Sequence, residues 1–401
     1  MLNNKNVLSE FGGKTVVSEY VGFGHPDKVA DQIGDALLDE YLRHDPQTRA
    51  GIEVMVKDNF VVLGGEVTAA ANIDCDAVVR EVFAHLPYPA NHHLSPREIK
   101  VINLIGQQSP EISKGVDHED GEIGSGDQGF MVGYASNETP DYLPLGVHMA
   151  KKICQHVAHL TDNGYGPDCK SQVIVNYDEA GRATIPSILV STMHQNSLEE
   201  VRQEITDIIA NNAMGLDEQL FAHYFQDNQV PKITVNPCGE WHIGGSVSDC
   251  GVTGRKIVVD QFGGYVPVGG GNLHTKDMSK VDRSAAYMAR YLAKNIVAAG
   301  IADTCRVELS YMIGSPQPSS VFIAVNRNQQ LALTLIDWVR KHVDLSVKGI
   351  ITRFDGSYPR YYNTAINGHY GKTDQEMLDT AIAKLYPWER TDLVDLLKAD
   401  L

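Results

Sequence analysis

Apolar residues along this chain keep two rhythms, one of about four residues and one of two, and the rhythms alternate. From Pro26 to Arg43, the residues Val29, Ile33, Leu37 and Tyr41 fall on one helix face. Pro26 suits a first helical turn, because the N–H it lacks would have no partner there. Ile52 to Lys57 then alternates apolar and polar like a half-buried strand, Asp58-Asn59 supplies a turn, and Phe60 to Thr68 returns. An amphipathic helix from Asp74 to Leu86 follows, then an apolar strand from Val101 to Ile105.

The succession of helix, hairpin, helix and strand is repeated further on. The second copy has a helix from Leu145 to Leu160 and a hairpin from Gln172 to Tyr177 and Ile185 to Thr192, turning at Asp178 to Gly181. A helix from Leu198 to Asn211 and a strand from Lys232 to Val235 close it. The third has a helix from Asp282 to Ala299, hairpin strands at Arg306 to Ile313 and Ser320 to Val325, a helix from Gln330 to Val343 and a strand near Gly349 to Thr352. Unlike copies of one succession point to an old triplication. Each copy can lay its helices on one face of a small sheet. The expected fold is therefore α/β of the α+β type: three similar domains, each a small sheet covered by helices, in pseudo-threefold arrangement. The expected divisions are residues 15–118, 122–243 and 244–390. A length of 401 residues agrees, since about 150 residues per domain calls for two to three. The free sheet faces must be covered by a neighbouring copy or by a partner subunit.

Charge narrows the function classes. Lys and Arg number 34 against 51 Asp and Glu, a formal net charge of −17, whereas a nucleic-acid binder is usually basic. No apolar run reaches the ~18 residues of a membrane span, and Met1 to Lys14 is polar where a signal peptide needs an apolar core. The expectations are no nucleic acid, no membrane and a cytoplasmic location. Cys75, Cys154, Cys169, Cys238, Cys250 and Cys305 are scattered without a C-x-x-C pair or a nearby His at ligand spacing. That argues against a zinc site or a disulfide framework and for free thiols.

The unusual composition lies between the copies. Gly106 to Gly129 is rich in Gly, Ser, Asp and Glu and reads as a mobile loop; Gly263 to Lys280 carries Gly263-Gly264 and Gly269-Gly270-Gly271. Gly24-His25-Pro26-Asp27-Lys28 opens the first helix, where free N–H groups and the helix dipole can hold phosphate; the plainer reading is an ordinary cap. From Asp249 to Asp282, Arg255, Lys256, Lys276 and Lys280 flank the glycine run. They can neutralise a polyphosphate, with Asp282 holding its Mg²⁺, although solvated charges on a surface loop would look alike. Gly124-x-Gly126-x-x-Gly129 matches a dinucleotide pattern but follows the polar Asp117 to Glu122 rather than a strand, so no Rossmann site is inferred. His92-His93 and His242 have no partner at ligand spacing and read as surface or packing residues. Trp241 is either a stacking platform or a packing residue.

These stretches, in this order, resemble the S-adenosylmethionine synthetase (methionine adenosyltransferase) family. The resemblance rests on Gly24 to Lys28, Gly64-Gly65-Glu66, Gln108-Ser109-Pro110, Gly126 to Gly129, Lys170-Ser171-Gln172, Asp249-Cys250-Gly251, Thr253 to Lys256, Lys276-Asp277 and Ser279 to Tyr287. It runs from about Val16 to the C-terminal region. It implies attack of methionine sulfur on C5′ of ATP, release of tripolyphosphate, and hydrolysis of that product to pyrophosphate and phosphate. It implies a homodimer with active sites in the interface, sometimes paired into a tetramer. Catalysis would fall to His25, Lys170, Arg255, Lys256, Lys276 and Asp127. ATP would meet His25, Asp168, Cys169, Lys170, Trp241, Asp249, Arg255, Lys256, Asn272, Lys276 and Ile313. Methionine would meet Glu66, Gln108, Asp127, Asp249 and Lys280. Asp27 and Asp282 would hold Mg²⁺, two per site, and Glu53 a K⁺. Gly106 to Val116 resembles the family's gate.

The sequence departs from the family pattern in places. Phe23 stands where a carboxylate usually precedes Gly24, and Trp241 where a Phe usually stacks on adenine. Asn272-Leu273-His274-Thr275 replaces small residues before Lys276, and Gln107 replaces a frequent Lys. Two rival readings remain open on the sequence: another ATP-using enzyme releasing ADP or AMP, and an inactive homologue serving as a partner subunit.

Overall fold

The computed structural model describes residues 11–89, 94–107, 121–226, 230–325 and 328–401. Gln108, Ser109, Pro110, His92 and most of the expected gate lie outside the described residues.

The first unit consists of β1 (Thr15–Val21), α1 (Pro26–His44), β2 (Arg49–Lys57), β3 (Phe60–Thr68), α2 (Cys75–His85) and β4 (Lys100–Asn103). The second has β5 (Gly129–Ser136), α3 (Leu145–Ala158), β6 (Tyr165–Tyr177), β7 (Ala183–His194), α4 (Leu198–Ala210) and β8 (Lys232–Val235). The third has β9 (Gly251–Val252), α5 (Val281–Ala298), β10 (Thr304–Tyr311), β11 (Ser320–Val325), α6 (Gln329–His342) and then a helix, α7 (Val347–Phe354). The strand expected near Gly349 to Thr352 is thus helical. Ser346 caps it by accepting from Gly349 N, and Val347, Ile350 and Phe354 are buried at helical spacing. The period, read over a longer window, is 3.6 rather than 2.

The units do not keep their own leading strands. Sheet orders are β4-β3-β2-β9, β1-β6-β7-β8 and β11-β10-β5. Unit one lends β1 to the hairpin of unit two, unit two lends β5 to unit three, and unit three lends β9 to unit one. The exchange is cyclic, as the pseudo-threefold reading requires. Each long helix lies on its own hairpin and on the borrowed strand: α1 on β2 and β9, α3 on β6 and β1, α5 on β10 and β5. At Gly133 of β5 an added Cβ would fall 2.0 Å from the Ala289 carbonyl carbon of α5. The backbones therefore touch, and only glycine fits.

Helices α1 and α5 are buried nearly all round, yet carry charges. Buried charges persist only when paired or hydrogen-bonded, and these are. Arg283 reaches Asp35 at 2.6 Å, Arg290 reaches Glu389 at 2.8 Å and Lys294 reaches Glu389 at 3.2 Å. The outer face of the β4-β3-β2 sheet is different. It carries half-exposed Met55, Phe60 and Ile102; Val62 pairs with Met55 and Ile102, and Glu53 and Glu66 stand further along the same face. Among the described residues no helix is long and apolar enough to cross a membrane.

Candidate active site

The residues singled out in the sequence gather in two groups. The first forms where α1 starts. His25 is the N-cap, and its Nδ1 accepts from Asp27 N at 3.1 Å, so Nε2 carries the proton. Burial, then the charges of Lys256 and Lys170, hold its pKa down to about 3. The ring is a neutral N–H donor in a positive field rather than the cationic donor expected of an anion-binding His. Asp27 binds Lys256 Nζ at 2.5 Å, lies 3.6 Å from Arg255 and accepts from Val252 N at 3.0 Å. Burial raises its pKa, but the Lys256 and Val252 hydrogen bonds outweigh it and hold the carboxyl ionised.

Strand β6 brings Asp168, Cys169 and the exposed Lys170 to the same place. Asp168 is buried; Oδ2 accepts from Gly245 N at 2.7 Å, while Oδ1 has no partner among the described residues. Burial pushes its pKa up to about 7, against the Gly245 hydrogen bond. Asp249 is exposed nearby and binds Cys250 N. Trp241, half-buried, donates Nε1–H to Ile243 O at 2.8 Å and accepts from His194 N through its carbonyl. Asn272 lies against Gly254 and leaves Nδ2 without a partner among the described residues. Glu53 accepts from Thr253 Oγ1, which ties β2 to this loop.

The second group surrounds the start of α5. Lys276 Nζ meets Asp282 at 2.6 Å and Lys280 Nζ meets Asp277 at 2.8 Å. Lysine charge is the main force holding Asp277 at about 2 against its burial. Exposed Asp127 sits in the loop whose Gly126 N donates to Ser279 O at 3.4 Å. Gly271 must be glycine, since a Cβ there would lie 2.0 Å from the Asp282 carboxyl carbon. Thr275 precedes Lys276 with φ of 67°, a left-handed conformation that a β-branched residue adopts only under constraint. Hydrogen bonds to Asp35 at 2.7 Å and from Ile52 N at 3.0 Å hold it. Glu66 lies opposite Gly51, which bridges to Lys276 on its other side. Ile313 is exposed beside the Ser125 loop. Among the described residues no ion pair joins the two groups.

Beneath them lies a network that sequence spacing did not reveal. Asp31, Asp35 and Asp260 face Lys28, His274 and Arg283, all buried. His274 Nδ1 is 2.6 Å from Asp35 and Nε2 is 2.9 Å from His369 Nε2. Burial and Lys28 oppose a charge on His274, but the three carboxylates outweigh them and raise its pKa to about 9. Charged His274 makes the set three against three, which is why a residue replacing the usual small one is tolerated at this depth.

Family models for S-adenosylmethionine synthetase match the chain in succession: the N-terminal domain at residues 14–110, the central domain at 122–241 and the C-terminal domain at 243–382. The chain belongs to the S-adenosylmethionine synthetase family. A solved structure described as an unusual S-adenosylmethionine synthetase from Campylobacter jejuni is 33% identical. The match covers 96% of this chain and 99% of that one, with a TM-score of 0.83. This synthetase is accordingly a transferase that forms S-adenosylmethionine, the activity of a methionine adenosyltransferase. A kinase or ligase reading is set aside by the match of all three domains.

Proposed function

We propose that the first group of one subunit and the second group of a partner subunit together form one active site. The observation that carries this is the division itself: Lys170, Arg255 and Lys256 stand in the first group and Lys276 in the second, and among the described residues no ion pair joins the two. The exposed apolar face of Met55, Phe60, Val62 and Ile102, adjoining Glu53 and Glu66, supports a homodimer that can pair further into a tetramer. The domain divisions at 15–118, 122–243 and 244–390 are offered as folding units, each completed by a borrowed strand.

In this reading ATP and L-methionine are the substrates. The thioether sulfur has no proton to lose, so the S–C5′ bond forms without a general base as the C5′–O bond breaks toward the triphosphate. The oxygen that departs gains charge, and catalysis comes from alignment and cations already in place. His25 Nε2–H donates to that oxygen. Lys170, Arg255, Lys256 and Lys276 neutralise the phosphates, and the same cradle holds tripolyphosphate for hydrolysis. Asp168 Oδ1 and Asn272 Nδ2 hydrogen-bond the adenosine, Trp241 stacks on its base, and Cys169 and Ile313 supply contact. Glu66, Gln108, Asp127, Asp249 and Lys280 orient methionine, its ammonium toward the carboxylates.

The carboxylates fit the ions expected. Asp27 and Asp282 each hold a lysine ammonium at 2.5 and 2.6 Å, so both sit where a cation is welcome, and all-oxygen ligands suit Mg²⁺. Glu53 with the Thr253 hydroxyl suits K⁺. Bound Mg²⁺ supplies neutralisation of triphosphate charge. A cytoplasmic location is supported by the unbridged cysteines, of which Cys154 and Cys169 approach to 3.3 Å without a disulfide. Incubation with ATP, methionine, Mg²⁺ and K⁺ followed by mass analysis tests the chemistry. The expected products are S-adenosylmethionine, pyrophosphate and phosphate; ADP or AMP would contradict it.

A further inference from the structure

Metal-ligand atoms converge where the end of β7 meets the segment carrying Trp241. His194 Nε2 lies 3.5 Å and His242 Nε2 lies 3.7 Å from one oxygen, Glu240 Oε2. All three atoms are within 4.8 Å of one another. The other nitrogen of each ring is engaged: His194 Nδ1 donates to Asn196 O and His242 Nδ1 donates to His194 O, both at 2.8 Å. A carbonyl only accepts, so each ring carries a proton on Nδ1 and turns Nε2 toward the Glu240 carboxylate, and Trp241 N donating to His194 Nε2 marks that nitrogen as an acceptor.

Acceptors facing one another need a cation. If a proton served, N–H···O distances would close to about 2.7–3.2 Å, shorter than either separation observed. Ligands around a tetrahedral ion with bonds of about 2.0–2.2 Å stand ~3.4 Å apart, close to both. Anchoring of the second ring nitrogen on a carbonyl is the outer-shell arrangement that orients metal-bound histidines. We propose that His194, Glu240 and His242 form a site for a borderline transition-metal dication of the Zn²⁺ type, separate from the Mg²⁺ and K⁺ positions. Trp241 N approaches His194 Nε2 at 3.4 Å, a long contact that ligation gives up. Sequence spacing hid this site because His194 and His242 are 48 residues apart.

The buried group Asp260, His274 and His369 also converges but is a different case. Lys28 Nζ lies 2.7 Å from Asp260, and His274 is set among three carboxylates as a cation itself, so positive charge already fills this position. At His194, Glu240 and His242 no such ammonium is present among the described residues. Metal there ties residues 240–242 to β7. On the reading that Trp241 stacks on adenine, it stiffens one wall of the nucleotide site.

The test uses the full chain, stripped with a chelator and dialysed into excess Mg²⁺ so that the carboxylate sites are filled. Titration with Zn²⁺ by calorimetry, with metal content measured after gel filtration, should give one equivalent per chain. His242→Ala and Glu240→Gln, at half-exposed positions, should keep the fold by circular dichroism and bind more than about tenfold more weakly. Cys238→Ser, an exposed thiol on the same segment, should retain the equivalent. Absence of binding in the wild type, equal binding in His242→Ala, or loss in Cys238→Ser would overturn the site.

Discussion

His274 shows how one side chain can be set by charge rather than by hydropathy. Its folded pKa, about 9, is raised above the ordinary 6.5. The stabilisation it brings is therefore fully present below pH 6.5 and is lost as pH rises through about 9. Denaturant midpoints should fall between pH 7 and 9.5 in the wild type, and His274→Gln should abolish that slope. Removing one partner of a buried charge set costs about 3–5 kcal/mol, so the variant should also be markedly less stable at pH 7. A flat wild-type profile would mean a neutral His274. Lys276 makes a different prediction. If it stabilises the departing triphosphate, Lys276→Met should lower kcat by ~10²–10³ with a smaller change in KM for methionine. A loss below about threefold would remove it from the cradle. The motif made Lys276 legible in the sequence. His274 was visible only as a departure, because its partners come from α1, from the short helix ending at Asp260 and from His369, which the fold alone assembles.

At the scale of elements, hairpins and amphipathic helices were legible because each shows its own period over several residues. Strand exchange was not, since β1, β5 and β9 pair with residues far along the chain and no local period records a partner. The third unit ends in α7 because Ser346 offers a cap and the apolar residues keep helical spacing. Ser346→Ala should cost about 1 kcal/mol, measured as a shifted denaturant midpoint; no shift would deny the cap a role. Gly133→Ala drives a methyl into the backbone of α5, where neither element can give way. About 3 kcal/mol is expected, at the upper end of overpacking. An unchanged midpoint would show that β5 and α5 can separate freely.

The whole molecule joins three units by cyclic strand exchange, and the candidate site residues gather in two groups, one at the start of α1 and one at the start of α5. Motifs identified most members of both groups, but not the division, which depends on which way each loop leaves its sheet. Joining a first group to the second group of a partner predicts an obligate dimer burying more than ~2,000 Å², which should persist on dilution in light scattering. The most direct measurement is complementation. Lys256→Met, in the first group, and Lys276→Met, in the second, should each be nearly inactive as homodimers. Co-expressed with different tags and purified through both, they should form heterodimers in which one site has two damaged halves and the other is intact. Activity should recover to about half the wild-type value per dimer. Heterodimers as inactive as the parents would contradict a site shared across the interface.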